Sequence, residues 1–297
     1  MASNDTQIIG YAQPWIVSPG QSVDIKISST EKEYRHRLVR LLQGYRGPHG
    51  PPVAMEEITE VPAGHRDDGC FQSACPGSYA VVPSWASVEY KDEEGINIEF
   101  YAQPYLLEND SGCQTLLSCL DTDSRTGFAV ILKDSTFRIL IGTGHNVEVI
   151  QSHLLVNRWR WLQISLSIIN KMVTVSIHQL IRLSEQAPKG QVMTKYLSAP
   201  MVLGSNELLF GAGMFDTVGQ KSSEPSCFYN GRLDSLCFAM SQSPRRVVAK
   251  YDFSKNISSD TIEDVSGNAR NGILINAPTR AVKGYNWDGS QPDWTKA

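Results

Sequence analysis

The sequence predicts an all-β protein whose main body is an antiparallel β-sandwich made of two packed sheets. From residue 79 onward, short segments alternate apolar and polar residues, and polar turn residues separate them. In this body only residues 244–251 (PRRVVAKY) have a helical pattern, with Pro244 suited to a helix start. Many short strands joined by polar turns are typical of a sandwich or barrel and not of a parallel α/β sheet.

A series of strand candidates accounts for most of the body. They span residues 79–82, 87–90, 96–105, 114–120, 127–133, 136–141, 146–151, 160–169, 172–180, 207–210 and 231–240. Two connections are short enough for tight hairpins, one at Lys133-Asp134-Ser135 and one at Ile169-Asn170-Lys171. Asparagine tolerates a positive φ better than most residues, so Asn170 suits such a turn.

The first 78 residues differ from the body in pattern. Residues 21–29 alternate apolar and polar side chains after a turn at Ser18-Pro19-Gly20. Residues 35–43 form a second strand candidate, although their short apolar cluster also fits a helix. Residues 44–78 are rich in Gly and Pro, which predicts an irregular connection over the surface of the body. We therefore divide the chain into a β-rich N-terminal extension packed on the body, residues 1–78, and a sandwich with a C-terminal tail, residues 79–297.

Composition and charge exclude several classes of protein. Hydrophobic residues make up 41% of the chain and charged residues 20%, which is ordinary for a globular protein and unlike a disordered one. A net charge of −4 leaves no basic surplus for phosphate contacts, so we expect no nucleic acid partner. No stretch approaches the roughly 18 apolar residues that span a bilayer, so we expect no membrane insertion.

The N-terminal residues and the cysteines together predict a reducing environment. The start, MASNDTQIIG, lacks the basic and apolar regions of a secretory signal, so we expect a cytoplasmic location. Thiols in that compartment are reduced, and the cysteine spacings do not match the short pairs of structural zinc sites. We therefore expect six free thiols, mostly buried: Cys70, Cys75, Cys113, Cys119, Cys227 and Cys237.

Three strand candidates in the body have one apolar and one polar side. The polar sides contain Glu99, Tyr101 and Gln103 in the first strand, Trp161, Gln163 and Ser165 in the second, and His178 in the third. Neighbouring strands lie about 4.8 Å apart, so adjacent strands would unite these side chains in a patch large enough for a small ring system. The polar sides therefore predict a binding surface for a small organic ligand.

Each of these side chains has a predicted role. The ligand-binding residues would be Tyr101, Gln103, Trp161, Gln163 and Ser165, with the two aromatic rings stacking on the ligand. The catalytic residues would be His178 and Glu99, because a histidine with a pKa near 6.5 suits general acid–base work. Two alternatives stay open: His178 as a hydrogen-bonded structural residue, and the polar sides as a solvent-exposed outer sheet.

Other motifs do not reach the pattern that their chemistry requires. Glu89 and Asp92 have opposite strand parity, so they do not form the facing carboxylate pair of a glycosidase. Asp121 and Asp123 lack the twelve-residue loop and terminal Glu of a common calcium site. No Gly-x-Ser-x-Gly motif is present. We expect no metal ion and no cofactor, with calcium at the rim of the sandwich left open.

A set of short motifs carries a family resemblance. The motifs are Gly10-Tyr11, Ser18-Pro19-Gly20, residues 34–41 (YRHRLVRL), Gly50-Pro51, Phe71-Gln72, Gly77-Ser78-Tyr79, Gly231-Arg232-Leu233-Asp234, residues 264–267 (DVSG), Asn271-Gly272, residues 276–282 (NAPTRAV) and Asn286-Trp287-Asp288. With them, nearly the whole chain resembles the N-terminal region of the large subunit of N,N-dimethylformamidase-like proteins. The resemblance implies a β-rich leader on a concanavalin A-like, laminin G-like sandwich (a jelly roll).

The resemblance also bears on activity. In that family the amide-hydrolysing centre, a mononuclear iron site, lies in a separate C-terminal domain. The chain ends at Ala297, where that domain would begin, so no iron ligand can be carried over and we expect no amidase activity.

Three functional hypotheses follow. Our main expectation is a small-molecule-binding enzyme that guides a cofactor-free cyclisation or isomerisation in specialised metabolism, by shape and a few hydrogen bonds. The alternatives are a non-catalytic, lectin-like module that recognises a glycan or partner, and a structural subunit of a separate amide hydrolase. Homo-oligomerisation stays open in all three.

Overall fold

We describe a computed structural model of the chain. It describes residues 7–13, 18–44, 49–61, 63–71, 77–107, 112–180, 190–216, 219–241, 246–280 and 282–287. The chain divides into two compact units, residues 1–74 and residues 75–297. Among the described residues, no helix combines the length and the apolar character that crossing a membrane requires.

The first unit consists of short strands paired two by two. The strands are β1 (Ile8–Gln13), β2 (Asp24–Ser29), β3 (Tyr34–His36), β4 (Val39–Gln43), β5 (Ala54–Glu57) and β6 (Gly64–Arg66). The antiparallel pairs are β1–β2, β3–β6 and β4–β5. The strand expected over residues 35–43 is therefore two strands. The irregular connection expected over residues 44–78 is wrong in part, because β5 and β6 lie there and pair with β4 and β3.

The regular elements described in the second unit are strands, apart from one 3₁₀ turn. Its elements are β7 (Tyr79–Val82), a 3₁₀ turn (Pro83–Ser87), β8 (Ile96–Pro104), β9 (Gln114–Ser118), β10 (Phe128–Lys133), β11 (Thr136–Gly142), β12 (Val147–Gln151), β13 (Leu162–Ile169), β14 (Met172–Gln179), β15 (Gly190–Tyr196), β16 (Leu208–Phe210), β17 (Gly213–Phe215), β18 (Lys221–Ser226), β19 (Gly231–Met240), β20 (Arg246–Asp252), β21 (Thr261–Asp264) and β22 (Gly272–Ile275). The all-β prediction is confirmed.

Fourteen strands form one antiparallel ladder that folds over into two facing sheets. Sheet A has the order β12-β11-β10-β9-β16-β7-β22-β21, and sheet B has the order β20-β19-β8-β13-β14-β15. Phe210 of β16 and Phe238 of β19 are five strands apart in this order, or about 24 Å in a flat sheet. Their rings nevertheless lie 6.3 Å apart, centroid to centroid. The ladder therefore encloses the core between its two halves, as a sandwich does.

The core contains the apolar sides of both sheets. In β8, β13 and β14 every second residue is buried, as the sequence pattern predicts. The indole of Trp85, from the 3₁₀ turn, lies edge-on to Phe128 of sheet A and to Phe238 of sheet B. Burial on this scale supplies most of the favourable free energy of folding.

Both predicted hairpins are confirmed. Lys133 pairs with Thr136, and Asp134 and Ser135 between them have φ values of 51° and 58°. Asn170 and Lys171 have φ values of 51° and 61° in the second turn. Two successive positive φ values are the requirement of a type I′ turn, whose twist matches that of the strands that it joins.

The two ends of the ladder meet through side chains. The Lys195 ammonium of β15 lies 2.8 Å from the Glu148 carboxylate of β12. The same carboxylate accepts hydrogen bonds from the backbone N–H and the hydroxyl of Ser198. The Gln191 side-chain oxygen accepts from the backbone N–H groups of His153 and Leu154. Side chains therefore close this side of the sandwich, whereas the β20–β21 ladder closes the other.

The helix predicted over residues 244–251 is wrong, as is the strand over residues 87–90. Arg246–Asp252 is strand β20, in which Ala249 pairs with Phe238 of β19. Pairing and burial outweigh the helical preference of so short a segment, and its adjacent valines suit a strand. Pro244 lies outside the described residues. In residues 87–90, Ser87 ends the 3₁₀ turn and no strand follows.

The prediction of six free thiols is also wrong. Cys113 and Cys227 form a disulfide, with Cα atoms 5.5 Å apart and 114 residues apart in sequence. The backbone N–H of Thr115 donates to the Cys227 carbonyl, which brings the two segments together. Cys119 is a free, buried thiol, and burial raises its pKa to about 12. Cys75 lies outside the described residues.

Candidate functional site

The outer side of sheet B contains the predicted polar patch. In the ladder, Gln163 of β13 lies between Tyr101 of β8 and His178 of β14. One row along, Ser165 lies between Glu99 of β8 and Ser176 of β14. The strand order β8-β13-β14 therefore makes neighbours of the three strands, as the patch requires.

The two predicted catalytic residues are not brought together. Glu99 and His178 lie two strands and one row apart, which places their Cα atoms about 12 Å from one another. The imidazole of His178 lies over Gly190 of β15, where an added Cβ would come 2.2 Å from its Nδ1 atom. This packing favours the structural alternative for His178.

Tyr101, the central residue of the predicted ligand site, is covered by the chain itself. The ring of Tyr285 stacks on the ring of Tyr101 at 3.5 Å between centroids and 6° between planes. Trp161 lies edge-on to the same Tyr285 ring at 6.4 Å. Burial and the neighbouring Tyr285 hydroxyl raise the pKa of Tyr101. A ligand that stacked on this side of Tyr101 would have to displace Tyr285.

The residues that hold Tyr285 were not among the predicted site residues. Residues 282–287, here called the C-terminal segment, lie over β19 and β8 without strand pairing to them. Arg232 of β19 donates from Nη1 to the Lys283 carbonyl at 3.0 Å. The Asp234 carboxylate accepts from the Tyr285 backbone N–H at 3.3 Å. Arg232, Asp234 and Trp287 all lie in the motifs that carry the family resemblance, so the sequence did single them out. Their proximity to Tyr101 could not be predicted, because it depends on the tertiary fold.

Beside the C-terminal segment lies a second aromatic group. Trp159 is 54% exposed, has a φ of 61° and stacks on Tyr105 at 4.2 Å. The Arg232 guanidinium lies 5.5 Å from the centre of the Tyr105 ring. The amide of Gln103, a predicted ligand residue, donates to the Trp159 carbonyl at 3.1 Å and supports this backbone conformation.

Two clefts lie away from this face. An open cleft of about 610 Å³ is lined by polar residues around Asp123 and Lys221, and Lys221 pairs with Asp121 and Asp123. A smaller cleft of about 180 Å³ lies between the 3₁₀ turn, β19 and β20. Within the described residues, no group of three or more His, Cys, Asp or Glu side chains is arranged to hold a metal ion.

Other resemblance motifs hold loops together. The Arg280 guanidinium donates to five backbone carbonyls: those of Phe253, Lys255, Asn256, Ser259 and Thr261. The Asp264 carboxylate accepts from the backbone N–H groups of Lys250, Ser266 and Arg270. These residues organise the connections between β20, β21 and β22, so their role is structural.

Comparison with known proteins gives two kinds of similarity. In an alignment of 323 positions, which covers 97% of this chain and 42% of the other protein, the chain is 23% identical to the N,N-dimethylformamidase beta subunit of Paracoccus aminophilus. It is also 23% identical to the subunit of the same name from Alcaligenes sp., over 98% of this chain and 42% of that protein. The chain thus spans less than half the length of these curated relatives. No family model matches.

Two of the solved structures to which the chain is similar contain laminin G domains. The LG1–3 region of the laminin α2 chain has a TM-score of 0.40 and 13% identity, covering 55% of this chain and 30% of that one. Domains LG4–5 of the mouse laminin α1 chain have a TM-score of 0.39 and 11% identity, covering 66% and 48%.

The main functional expectation is wrong. The curated relatives are named as subunits of an amide hydrolase, and neither is named as a cyclase or isomerase. Their names agree with the alternative of a subunit of an amide hydrolase. The assignment of Tyr101, Gln103, Trp161, Gln163 and Ser165 to a ligand site, with Glu99 and His178 as catalytic residues, stays a prediction.

Proposed function

We propose that the chain is a non-catalytic, β-sandwich component of an amide hydrolase, and that it works by docking to a catalytic polypeptide. The similarity to two N,N-dimethylformamidase beta subunits over 97% and 98% of the chain supports the enzyme class. The exposed apolar side chains of the first unit support the docking role.

The observation that carries the proposal is the absence of a core among the described residues of the first unit. Of these, only Ser29 is buried. Large apolar side chains in the unit are exposed instead: Ile8, Ile9, Tyr11, Val23, Ile25, Leu38, Leu41, Leu42, Met55, Val61 and Phe71. Where such exposed apolar side chains lie side by side, they mark a site of protein–protein interaction.

Two of these residues form a defined pair. Leu41 of β4 and Met55 of β5 are directly opposite each other in the ladder, so they share one face. They are 59% and 56% exposed. On the other face, Arg40 lies opposite Glu56 and forms an ion pair with it at 3.7 Å. One face of the β4–β5 hairpin therefore presents an exposed apolar pair suited to a partner, with Val39 opposite Glu57 one row along, and the other face presents an ion pair suited to solvent.

The test is to purify the chain under native conditions from cells that contain its partner and to measure the dimethylamine released from N,N-dimethylformamide. The complex should hydrolyse the amide and the isolated chain should not. The double variant Leu41→Asp with Met55→Lys should lower the recovered complex at least tenfold, because it places charges on the apolar face. Leu155→Asp, at a side chain that is 67% exposed in the second unit, is the matched control.

Two results would overturn the proposal. One is hydrolysis by the isolated chain at the rate of the complex. The other is a purified complex without amide hydrolysis, including one in which the chain associates only with copies of itself.

A further inference from the structure

The C-terminal segment is held on sheet B by contacts that depend on particular residues. It makes no ladder with any strand, so backbone pairing does not fix its position. Instead Arg232 holds the Lys283 carbonyl and Asp234 holds the Tyr285 N–H. A chain segment that only passed over the surface would not need two charged side chains aimed at its backbone.

An irregularity in β19 places Asp234 for this contact. The register between β19 and β8 shifts between Asp234 and Cys237, and Ser235 has a φ of 51°. Such a bulge re-aims the side chains next to it. The Ser235 hydroxyl donates to Asp234 Oδ1 at 3.1 Å, which leaves Oδ2 to accept from Tyr285. The bulge in β19 therefore places the Asp234 carboxylate where it can accept from the backbone of the C-terminal segment.

The segment also fits the surface sterically. A Cβ atom at Gly284 would come 2.5 Å from Asp234 Oδ2, so the close approach suits glycine. Tyr285 packs its ring face on Tyr101 and lies edge-on to Trp161, and the edge-on arrangement is one that aromatic pairs favour. The chain turns at Tyr285 and Asn286, where the Trp287 N–H donates to the Gly284 carbonyl at 3.4 Å. The Lys283 ammonium then lies 3.5 Å over the Trp287 ring and closes the turn.

We propose that the C-terminal segment is a latch, which holds residues 282–287 closed on the outer face of sheet B and covers the Tyr101 ring with the ring of Tyr285. The occupant of the Tyr101 surface is thus the chain's own Tyr285. A ligand that stacks on this side of Tyr101 can therefore bind only when the segment opens.

The latch can be tested on the purified chain by trypsin cleavage between Lys283 and Gly284. Cleavage of a folded protein follows the population of the locally opened form when opening and closing are fast. In the wild type this bond should be cut far more slowly than in a free peptide of residues 278–287. Tyr285→Ala, which removes the ring, and Gly284→Ala, which adds the clashing Cβ, should each raise the rate at least tenfold.

Two controls separate the latch from general destabilisation. Tyr285→Phe keeps the stacked ring and should leave the cleavage rate within about threefold of wild type. Tyr196→Ala removes an exposed aromatic side chain from β15 of the same sheet and should also leave it unchanged. Cleavage of the wild type as fast as the free peptide, or unchanged rates in both latch variants, would overturn the proposal.

Discussion

Replacing Arg280 by methionine should destabilise the second unit strongly, because one side chain holds an entire loop. Its Nη1 atom donates to three backbone carbonyls and its Nη2 atom to two, over distances from 2.6 to 3.3 Å. Burial lowers the pKa of this guanidinium, but it stays charged at all working pH values. Methionine has a similar length and keeps the apolar packing while removing every donor.

The expected loss of stability depends on whether each of the five carbonyl groups can bind water once the Arg280 guanidinium is removed. Lys255 and Asn256 are exposed, so their carbonyls can bind water once the guanidinium is gone. Phe253, Ser259 and Thr261 are half-buried, and an acceptor that loses its partner there costs roughly 1 kcal/mol. The expected loss in the free energy of unfolding is therefore about 3 kcal/mol. In a unit of this size, each kcal/mol of lost stability lowers the melting temperature by about 2–4 °C. The melting temperature should therefore fall by about 6–12 °C.

The assay is thermal unfolding followed by circular dichroism, with two reference variants. Arg280→Lys keeps the charge but loses the planar arrangement of donors, so its melting temperature should fall between those of wild type and Arg280→Met. Arg125→Met removes a guanidinium for which a single carbonyl contact is described, to His145, and should lower the melting temperature by less than about 3 °C. An Arg280→Met variant that melts within about 2 °C of wild type would refute the reasoning.

Three further predictions concern the bridge, the side-chain closure and a turn. Denatured protein without reductant should show at most four titratable thiols, because Cys113 and Cys227 are bonded, and reduction should cost roughly 2–4 kcal/mol of stability; six thiols would contradict the bridge. The Lys195 ammonium and the Ser198 N–H lower the pKa of Glu148, so its contribution to stability is present above the ordinary value of about 4.3 and is lost as the pH falls through the lower, folded value. Glu148→Gln should remove this part of the acid dependence in urea titrations at a series of pH values, and identical acid profiles would argue against it. Asn170→Val should cost about 1–2 kcal/mol in the same titrations, since Asn170 has a φ of 51°, whereas Asn170→Gly should not; equal losses would contradict the turn.

Local patterns in the sequence were sufficient for the strands of sheet B that alternate. In β8, β13 and β14 the apolar period of two is complete, so the buried and outward sides could be assigned before the fold was known. The same period placed Gln163 beside Tyr101 and His178 once the strand order was known. Strand order itself depends on long-range pairing, such as that of β19 with β8, which no local pattern encodes.

The features that the sequence did not reveal depend on residues far apart in the chain. The disulfide joins cysteines 114 residues apart, and their proximity follows from pairing around Thr115. Tyr285 reaches Tyr101 only because a segment without strand pattern is held by Arg232 and Asp234. Strand β20 resembles a helix locally and becomes a strand because β19 offers it a partner.

The two sides of the sandwich are closed by different kinds of contact, so they should respond differently to the salt concentration. The side at β20 and β21 is held by backbone hydrogen bonds, which ionic strength barely affects. The side at β12 and β15 is held by the Glu148–Lys195 ion pair and by Gln191, and salt screens a partly exposed ion pair. Rising salt should therefore weaken the contact between β12 and β15 and leave the β20–β21 side unchanged. Because β12 and β15 are the end strands of the ladder, a loosened seam would uncover two strand edges, and strand addition between molecules, and thus aggregation, would begin there.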